Sequence, residues 1–342
     1  MNIRPLSLLL GLTFLFSFDV TMARAAFKAP LRVHLTYYPT VEFAGLFLAY
    51  EKGWYREAGI DLKFVSQDLN ISESLIADEV DVAMHSGHEV IRQVAKGQDL
   101  KAFAAEYQIN PLSLAVDPKV KSLKGLKGKT IGIFTDQEKA FIRVMLAHEG
   151  LSLSDVNFKY IPSFKFDDLL DDLRLNLFDA LPVWAFNHPV GFALKGYNTR
   201  QFQSYLYGFH FYGTVFYAKS KTISSRKLEL ANFLRVTRRG WQEAYRNPAA
   251  AVSVVMKNWY HKDHYIDGSY DLTLKQQLTQ MKLAQRYLYE GVGAPHFGEM
   301  TRSQWQSGLK IALRDGIIEN KNIKVDDLYT DDVLKIFRRV PN

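Results

Sequence analysis

The sequence predicts an α/β protein of two successive lobes, each a mostly parallel sheet flanked by helices, with a ligand cleft between the lobes. Three observations lead to this prediction. The chain of 342 residues is longer than one hydrophobic core usually organises. Strand-like and helix-like segments alternate, which favours parallel βαβ units. The same alternation starts again near residue 129, which indicates a second sheet.

The first lobe begins with a βαβ unit. Residues 31–35 alternate between apolar and polar side chains as a strand does, and Pro39 follows them. Residues 42–52 carry apolar side chains at helical spacing before Gly53, where the helix is expected to end. A second strand at 60–65 completes the unit. Further predicted elements are helices at 71–77 and 87–96, and strands at 80–84 and 100–105.

The second lobe repeats this order, and a helical tail follows. Its predicted strands lie at 129–134, 158–161 and 180–183, with helices at 139–149 and 169–177. The last hundred residues read as helices at 226–246, 249–259, 272–289 and 303–315. The expected organisation is a signal peptide at 1–25, the first part of lobe 1 at 27–115, lobe 2 at 116–212, and a return to lobe 1 with a helical tail at 213–342.

The first 25 residues resemble a cleaved export signal. Arg4 supplies the positive start, residues 6–18 are apolar, and Ala23 and Ala25 stand where a signal peptidase reads small side chains. The apolar stretch is shorter than the ~20 residues of a membrane-spanning helix. We expect a protein exported to the periplasm; an uncleaved N-terminal anchor is the alternative. The chain has no cysteine, so neither disulfides nor a lipid-modified cysteine are expected.

Several function classes find no support in the residues. The net charge of +7 comes from lysines and arginines scattered among acids, so no nucleic-acid partner is expected. The histidine pairs His85/His88 and His261/His264 lack the further ligands of a zinc site, so no metal is expected. The segment 125–130 lacks the first glycine of a phosphate loop. Because no nucleophile motif occurs either, we expect neither an enzyme nor a cofactor.

Aromatic and polar residues follow the predicted strands. In an open parallel sheet, ligands bind at the carboxyl ends of the strands. Planar side chains with a few hydrogen-bonding groups suit a flat, polar ligand. We expect Trp184 to serve as a stacking surface. The expected ligand-binding residues are Tyr37, Tyr38, Glu42, Ser86, His88, Gln108, Asn110, Asp136, Glu138, Trp184, Asn187, His188 and Tyr212.

Motifs spread over residues 30 to 315 resemble a known family. They are segments 43–49, 51–61, 108–111, 126–129, 211–213, 239–241 and 247–248. These segments resemble the periplasmic binding proteins for thiamine-pyrimidine precursors, with alkanesulfonate- and nitrate-binding proteins as more distant relatives. The resemblance implies a type II periplasmic binding protein fold. It implies a solute-binding protein of an ABC importer, monomeric, that docks on a permease and binds a small planar polar molecule. The alternative is a non-enzymatic sensor coupled to a membrane signalling protein.

The resemblance also bears on individual residues. It implies that Tyr37, Tyr38, Glu42, His88, Gln108, Trp184 and the turn at 187–189 line the cleft. Many members carry an acid beside the segment 211–213, where this chain has His210 and Thr214. One relative, a pyrimidine synthase, holds pyridoxal phosphate on a lysine four residues before a histidine. Met84 stands at that lysine's position, and a Schiff base needs an amine, so this chemistry is excluded.

Overall fold

The computed structural model describes residues 29–65, 71–163, 165–290, 293 and 296–339. The predicted signal peptide lies outside these residues. The strands are β1 Leu31–His34, β2 Leu62–Val65, β3 Val82–His85, β4 Leu100–Tyr107, β5 Leu112–Val116, β6 Thr130–Ile133, β7 Asn157–Tyr160, β8 Ala180–Trp184, β9 Arg200–Gln203 and β10 Thr214–Lys219. The α-helices are α1 Ala44–Glu51, α2 Trp54–Glu57, α3 Ile71–Ile76, α4 Gly87–Ala95, α5 Lys139–His148, α6 Phe166–Arg174, α7 His188–Leu194, α8 Ser220–Ser225, α9 Lys227–Arg246, α10 Pro248–Asn258, α11 Tyr270–Tyr289, α12 Arg302–Arg314, α13 Val325–Leu328 and α14 Asp332–Arg338.

The strands form two five-stranded sheets of matching design. The first has the order β2-β1-β3-β10-β4 and the second the order β7-β6-β8-β5-β9. In each sheet the fourth strand, β10 or β5, runs antiparallel to both of its neighbours, while the other paired strands run parallel. The prediction of two mostly parallel sheets flanked by helices is therefore confirmed.

The lobe boundary differs from the sequence prediction at one strand. The predicted first part of lobe 1 ended at residue 115, but β5 pairs with β8 and β9 and so belongs to the second sheet. The chain crosses between lobes at residues 108–111 and returns at 204–213. Proximity in sequence to β4 suggested the wrong lobe, because the partners that place β5 lie far along the chain.

The two crossings pack closely against each other. A Cβ atom at Gly213 would lie 2.4 Å from the carbonyl oxygen of Ile109. Tyr107, at the end of β4, accepts the backbone N–H of Gly213 at 2.8 Å. Only a glycine lets the returning segment approach the outgoing one at this point.

The C-terminal helices buttress the first lobe and reach the second. Helix α9 packs on α1, where a Cβ at Gly45 would lie 2.3 Å from the ring of Trp241. Helix α11 contacts β4 of the first lobe and α7 of the second. Its Gln277 accepts the backbone N–H of Val41, and its Gln276 donates to the side chain of Asn187. These bonds tie one helix to both lobes. Within the described ranges, no helix is long and apolar enough to span a membrane.

Candidate functional site

A cavity of about 230 Å³ lies between the two lobes, where the carboxyl ends of β1, β3, β6 and β8 meet. This is the location expected for a ligand in an open α/β sheet. Both lobes and the outgoing crossing contribute to its walls. The lining residues are Thr36, Tyr37, Glu42, Ile71, His85, Ser86, His88, Asn110, Leu112, Phe134, Thr135, Gln137, Glu138, Phe141, Pro182, Val183, Trp184, Asn187, His188 and Gly213.

The first lobe contributes a buried carboxyl group, that of Glu42. Thr40 accepts the backbone N–H of Glu42 at 3.2 Å and so starts the short 3-10 turn that carries this residue into the cavity wall. Only 1% of Glu42 is exposed, and its Oε1 atom has no hydrogen-bond partner among the described residues. Burial, with a contribution from Glu106, raises the pKa of Glu42 well above its usual range.

Glu106 is a second buried acid on this side of the protein. Its Oε1 accepts the indole N–H of Trp241 at 3.0 Å, whereas Oε2 has no partner among the described residues. Burial raises the pKa of Glu106 to about 8. Glu106 does not line the cavity, but when it is ionised its negative charge raises the pKa of Glu42.

A hydrogen-bond network fixes the two histidines beside the cavity. Ser86 Oγ donates to the carbonyl of Tyr212 at 3.1 Å and accepts from Asn110 at 2.7 Å. Nδ1 of His88 lies 2.7 Å from the same Oγ, so we assign the proton to Nδ1 and leave Nε2 as an acceptor. Nδ1 of His85 accepts the backbone N–H of Ser86 at 2.8 Å, which leaves its Nε2 as a donor.

Both rings of this network are neutral at physiological pH. Burial lowers the pKa of His88 to about 3 and also lowers that of His85. The pair therefore offers one acceptor and one donor nitrogen to the cavity region without adding charge. A neutral ligand meets hydrogen-bonding groups here and no cationic imidazole.

The second lobe contributes a carboxyl group and several aromatic rings. Glu138 Oε2 accepts the backbone N–H groups of Phe134 and Thr135 at 2.9 and 2.8 Å, which holds it at the first turn after β6. Burial raises the pKa of Glu138 to about 7 despite these bonds. Trp184, at the end of β8, makes edge contacts with Tyr107 and Phe186 at 5.8 and 5.4 Å between ring centres.

The cavity carries acidic groups without basic ones. Glu42 and Glu138 are its only acids, and among the described residues that line it there is no lysine or arginine. No cluster of three or more histidine, aspartate or glutamate side chains suited to a metal ion occurs in the described part of the chain. The arrangement can hydrogen-bond a small molecule, and aromatic faces can pack against a flat one.

The structure brings nine of the thirteen predicted site residues to the cavity. They are Tyr37, Glu42, Ser86, His88, Asn110, Glu138, Trp184, Asn187 and His188. Their role in binding stays a prediction. The other four do not line this cavity: Tyr38 contacts His264, Gln108 donates to the carbonyl of Glu299, exposed Asp136 accepts from Tyr160, and Tyr212 accepts the N–H of Thr301 beside Trp305.

Sequence reasoning missed other lining residues. His85, Phe134 and Thr135 lie at or just after the ends of strands that the sequence did predict. The expectation that ligands bind at the carboxyl ends of parallel strands could therefore have identified them. Leu112 comes from β5, a strand that we did not predict although Leu112, Ser113 and Leu114 alternate between apolar and polar side chains. Pro182 and Val183 line the cavity from within β8, a placement that depends on how the two lobes face each other.

Known proteins resemble this chain in sequence and in structure. The riboflavin-binding protein RibY of Chloroflexus aurantiacus is 25% identical over 273 residues, which cover 73% of this chain and 70% of that protein. The alkanesulfonate-binding protein SsuA of Xanthomonas axonopodis pv. citri, bound to MOPS, superposes with a TM-score of 0.63 at 15% identity, covering 88% of this chain and 98% of SsuA.

The periplasmic nitrate-binding protein NrtA of Synechocystis PCC 6803 superposes with a TM-score of 0.66 at 12% identity, covering 91% of this chain and 89% of NrtA. At these identities the structural likeness shows the fold, which is that of periplasmic binding proteins. Residues 40–251 match the sequence model of the family described as NMT1/THI5 like. These residues span most of both sheets and nearly all of the cavity wall, and the chain therefore belongs to the NMT1/THI5-like family.

Proposed function

We propose that this protein is a periplasmic solute-binding protein of an ABC importer, which binds one small planar polar molecule between its lobes and performs no chemistry on it. The family, the fold shared with alkanesulfonate- and nitrate-binding proteins, and the signal-like N-terminal sequence support this proposal. Its partner is a membrane permease, and the protein acts as a monomer that is exported through a cleaved signal peptide.

The charge of the cavity carries the proposal about ligand class. A sulfonate or nitrate ion would lose its water in this cavity with no described lysine or arginine to balance its charge, and it would meet two carboxyl groups whose pKa values are already raised by burial. A heterocycle with an N–H or amino group would instead donate to the unpartnered Oε1 of Glu42. A ring of this kind, such as a thiamine pyrimidine precursor, suits both the acids and the aromatic walls.

Glu138 can take the place of an acid that many family members have and this chain lacks. The sequence lacks an acid beside segment 211–213, the expected acceptor for an amidine-like edge. Glu138 lies in the second lobe and lines the same cavity from α5's side, so an acidic group faces the ligand from that lobe. We propose that it replaces the missing acceptor.

A ligand screen tests the proposal. Protein purified free of small molecules is mixed with aminopyrimidines, related heteroaromatics, sulfonates and nitrate, and the melting temperature is recorded. A ligand at a hundredfold excess over its dissociation constant should stabilise the fold by about 2.7 kcal/mol. A response to nitrate or sulfonate alone would contradict the ligand class, and no response to any compound would contradict the solute-binding role.

A variant tests the role of Glu42. Glu42→Gln replaces the protonated carboxyl group with an amide of the same shape that cannot give up a proton to the ligand, so affinity for an aminopyrimidine that responds in the screen should fall by roughly 2- to 13-fold, the equivalent of about 0.5–1.5 kcal/mol for one neutral hydrogen bond. Glu51→Gln, at an exposed position on α1, is the matched control and should bind unchanged. Equal affinities in both variants would remove Glu42 from the site.

A further inference from the structure

A second, smaller cavity adjoins the central one. Its volume is about 70 Å³, and it shares Tyr37, Asn187 and His188 with the central cavity. These shared residues make the two cavities direct neighbours. The remaining lining residues of this side cavity are Tyr38, Pro39, Thr40, Phe166, Trp259, Tyr260, His261, His264, Ile266 and Gln276.

The side cavity differs in chemistry from the central one. Its described lining residues include no aspartate, glutamate, lysine or arginine. Burial lowers the pKa of His188 to about 4, so this ring is neutral, and the pKa of His264 is lowered as well. A charged substituent would find no counter-charge here, and burying it would be unfavourable.

Polar atoms in the walls nevertheless lack partners. Nδ1 of His188 and Nε1 of Trp259 are buried and have no hydrogen-bond partner among the described residues. The Trp259 ring itself is well held, stacked on Phe47 at 4.3 Å between ring centres. A purely apolar substituent would leave both nitrogens unsatisfied, whereas a group with oxygen atoms can bond to them.

Size and wall composition narrow the occupant further. At ~10–15 Å³ per water-sized site, the side cavity holds roughly five to seven water-sized groups. Aromatic walls such as those of Tyr38 and Tyr260 can pack against C–H groups, and hydroxyl groups are the kind of partner that the two ring nitrogens lack. A sugar or a short hydroxylated chain has this combination of apolar faces and hydroxyl edges.

We propose that the ligand is a two-part molecule: a planar nitrogen heterocycle in the central cavity, carrying an uncharged hydroxylated substituent that occupies the side cavity. This inference rests on the proposed solute-binding function and specifies its ligand. Nucleosides and riboflavin are molecules of this design, and RibY, a relative of this chain, is named for riboflavin binding. In this proposal the bond between the two parts of the ligand lies beside Tyr37, Asn187 and His188, the residues that line both cavities.

Matched compounds test the side cavity separately from the central one. The pairs are cytosine and cytidine, adenine and adenosine, and lumiflavin and riboflavin; within a pair only the hydroxylated part differs. Calorimetric titration of the whole mature protein should show at least one pair in which the hydroxylated member binds tenfold or more tightly than its partner. Equal or weaker binding of the hydroxylated member in every pair that binds would overturn this inference and leave the proposed function standing.

A conservative variant of Trp259 tests the side cavity in a second way, through the affinity for each member of a compound pair. Trp259→Phe removes Nε1 and keeps a ring against Phe47, so the hydroxylated compound should lose roughly 3- to 10-fold in affinity while the ring-only compound is unchanged. Trp54→Phe lies outside both cavities and is the control. An equal effect on both compounds would overturn the inference. If no compound of any pair binds, the proposed heterocycle class fails and this inference fails with it.

Discussion

Truncation of Trp184 separates a ligand-stacking role from a core-packing role. The residue is half-buried, lines the cavity and contacts Tyr107 and Phe186 edge-on. An aromatic pair contributes about 0.5–1.5 kcal/mol beyond simple burial. Covering about 40 Å² of apolar surface adds ~1 kcal/mol. Trp184→Ala should therefore weaken binding by roughly 10- to 60-fold.

The same variant has a smaller expected effect on stability. A fully buried aromatic residue replaced by alanine costs about 3–5 kcal/mol, but Trp184 is partly exposed and its two edge contacts together contribute about 1–3 kcal/mol. The ligand-free variant should fold and melt at a moderately lower temperature. Calorimetric titration with the best ligand of the screen gives the affinity, and thermal unfolding without ligand gives the stability.

Two controls make the result interpretable. Trp184→Phe keeps a ring and should retain most of the affinity. Trp54→Ala truncates a tryptophan outside the cavity, where Arg239 lies 3.6 Å above the ring centre, and should not alter binding. A loss of 3 kcal/mol or more in the ligand-free Trp184→Ala protein with unchanged affinity would refute the stacking role and make Trp184 a core residue.

Two further predictions concern the interior. Glu106 has a pKa of about 8 in the folded protein against 4.5 in the unfolded chain, so the folded state binds more protons and stability falls as pH rises from 4.5 to 8. Each pH unit in that window lowers the free energy of unfolding by about 1.4 kcal/mol. Glu106→Gln keeps an acceptor for Trp241 and does not ionise, so it should be more stable than the parent protein by roughly 3 kcal/mol at pH 7 and equally stable at pH 4. Urea unfolding measures both stability profiles, and parallel profiles would contradict this prediction. Gly213→Ala should lower the melting temperature strongly, because the new Cβ would lie 2.4 Å from the carbonyl oxygen of Ile109. Gly125→Ala is the control and should leave the melting temperature unchanged, since its Cβ would lie 3.4 Å from the nearest atom, in Val120. Similar melting temperatures for the two variants would mean that the crossings relax to make room for the methyl group.

The sequence predicts most strands of both sheets, and the exceptions have physical causes. Strands β1 to β4 and β6 to β8 all coincide with predicted segments. Strand β10 was missed because Val215–Ala218 is a continuous apolar run, buried on both faces, that has no period-two pattern. Strand β9 is an edge strand with one apolar residue, Phe202. Strand β5 was missed although its first residues alternate in polarity, and only its pairing with β8 and β9 assigns it to the second sheet.

Prediction of the site worked best for residues at the strand ends and in the segments that connect them to the next helix. Glu42, His88 and Trp184 line the cavity because the ends of β1, β3 and β8 point at it. Gln108 and Tyr212 lie in the crossings, where the direction of a side chain depends on how one crossing packs on the other and on α11 and α12. Spacing along the chain holds no information about that packing. The side cavity was likewise invisible, since its walls come from segments more than two hundred residues apart in sequence, among them Tyr38 and Trp259.

The position of β10 has a consequence for the order in which the lobes can form. A chain leaves the ribosome or a translocation channel from its N-terminus. The second sheet uses only strands within residues 112–203, so it can assemble as soon as that stretch has emerged. The first sheet waits for Thr214–Lys219 to insert between β3 and β4, whose facing edges stay unpaired until then. Pairing across such a separation is slow, so the lobe that emerges first is completed last.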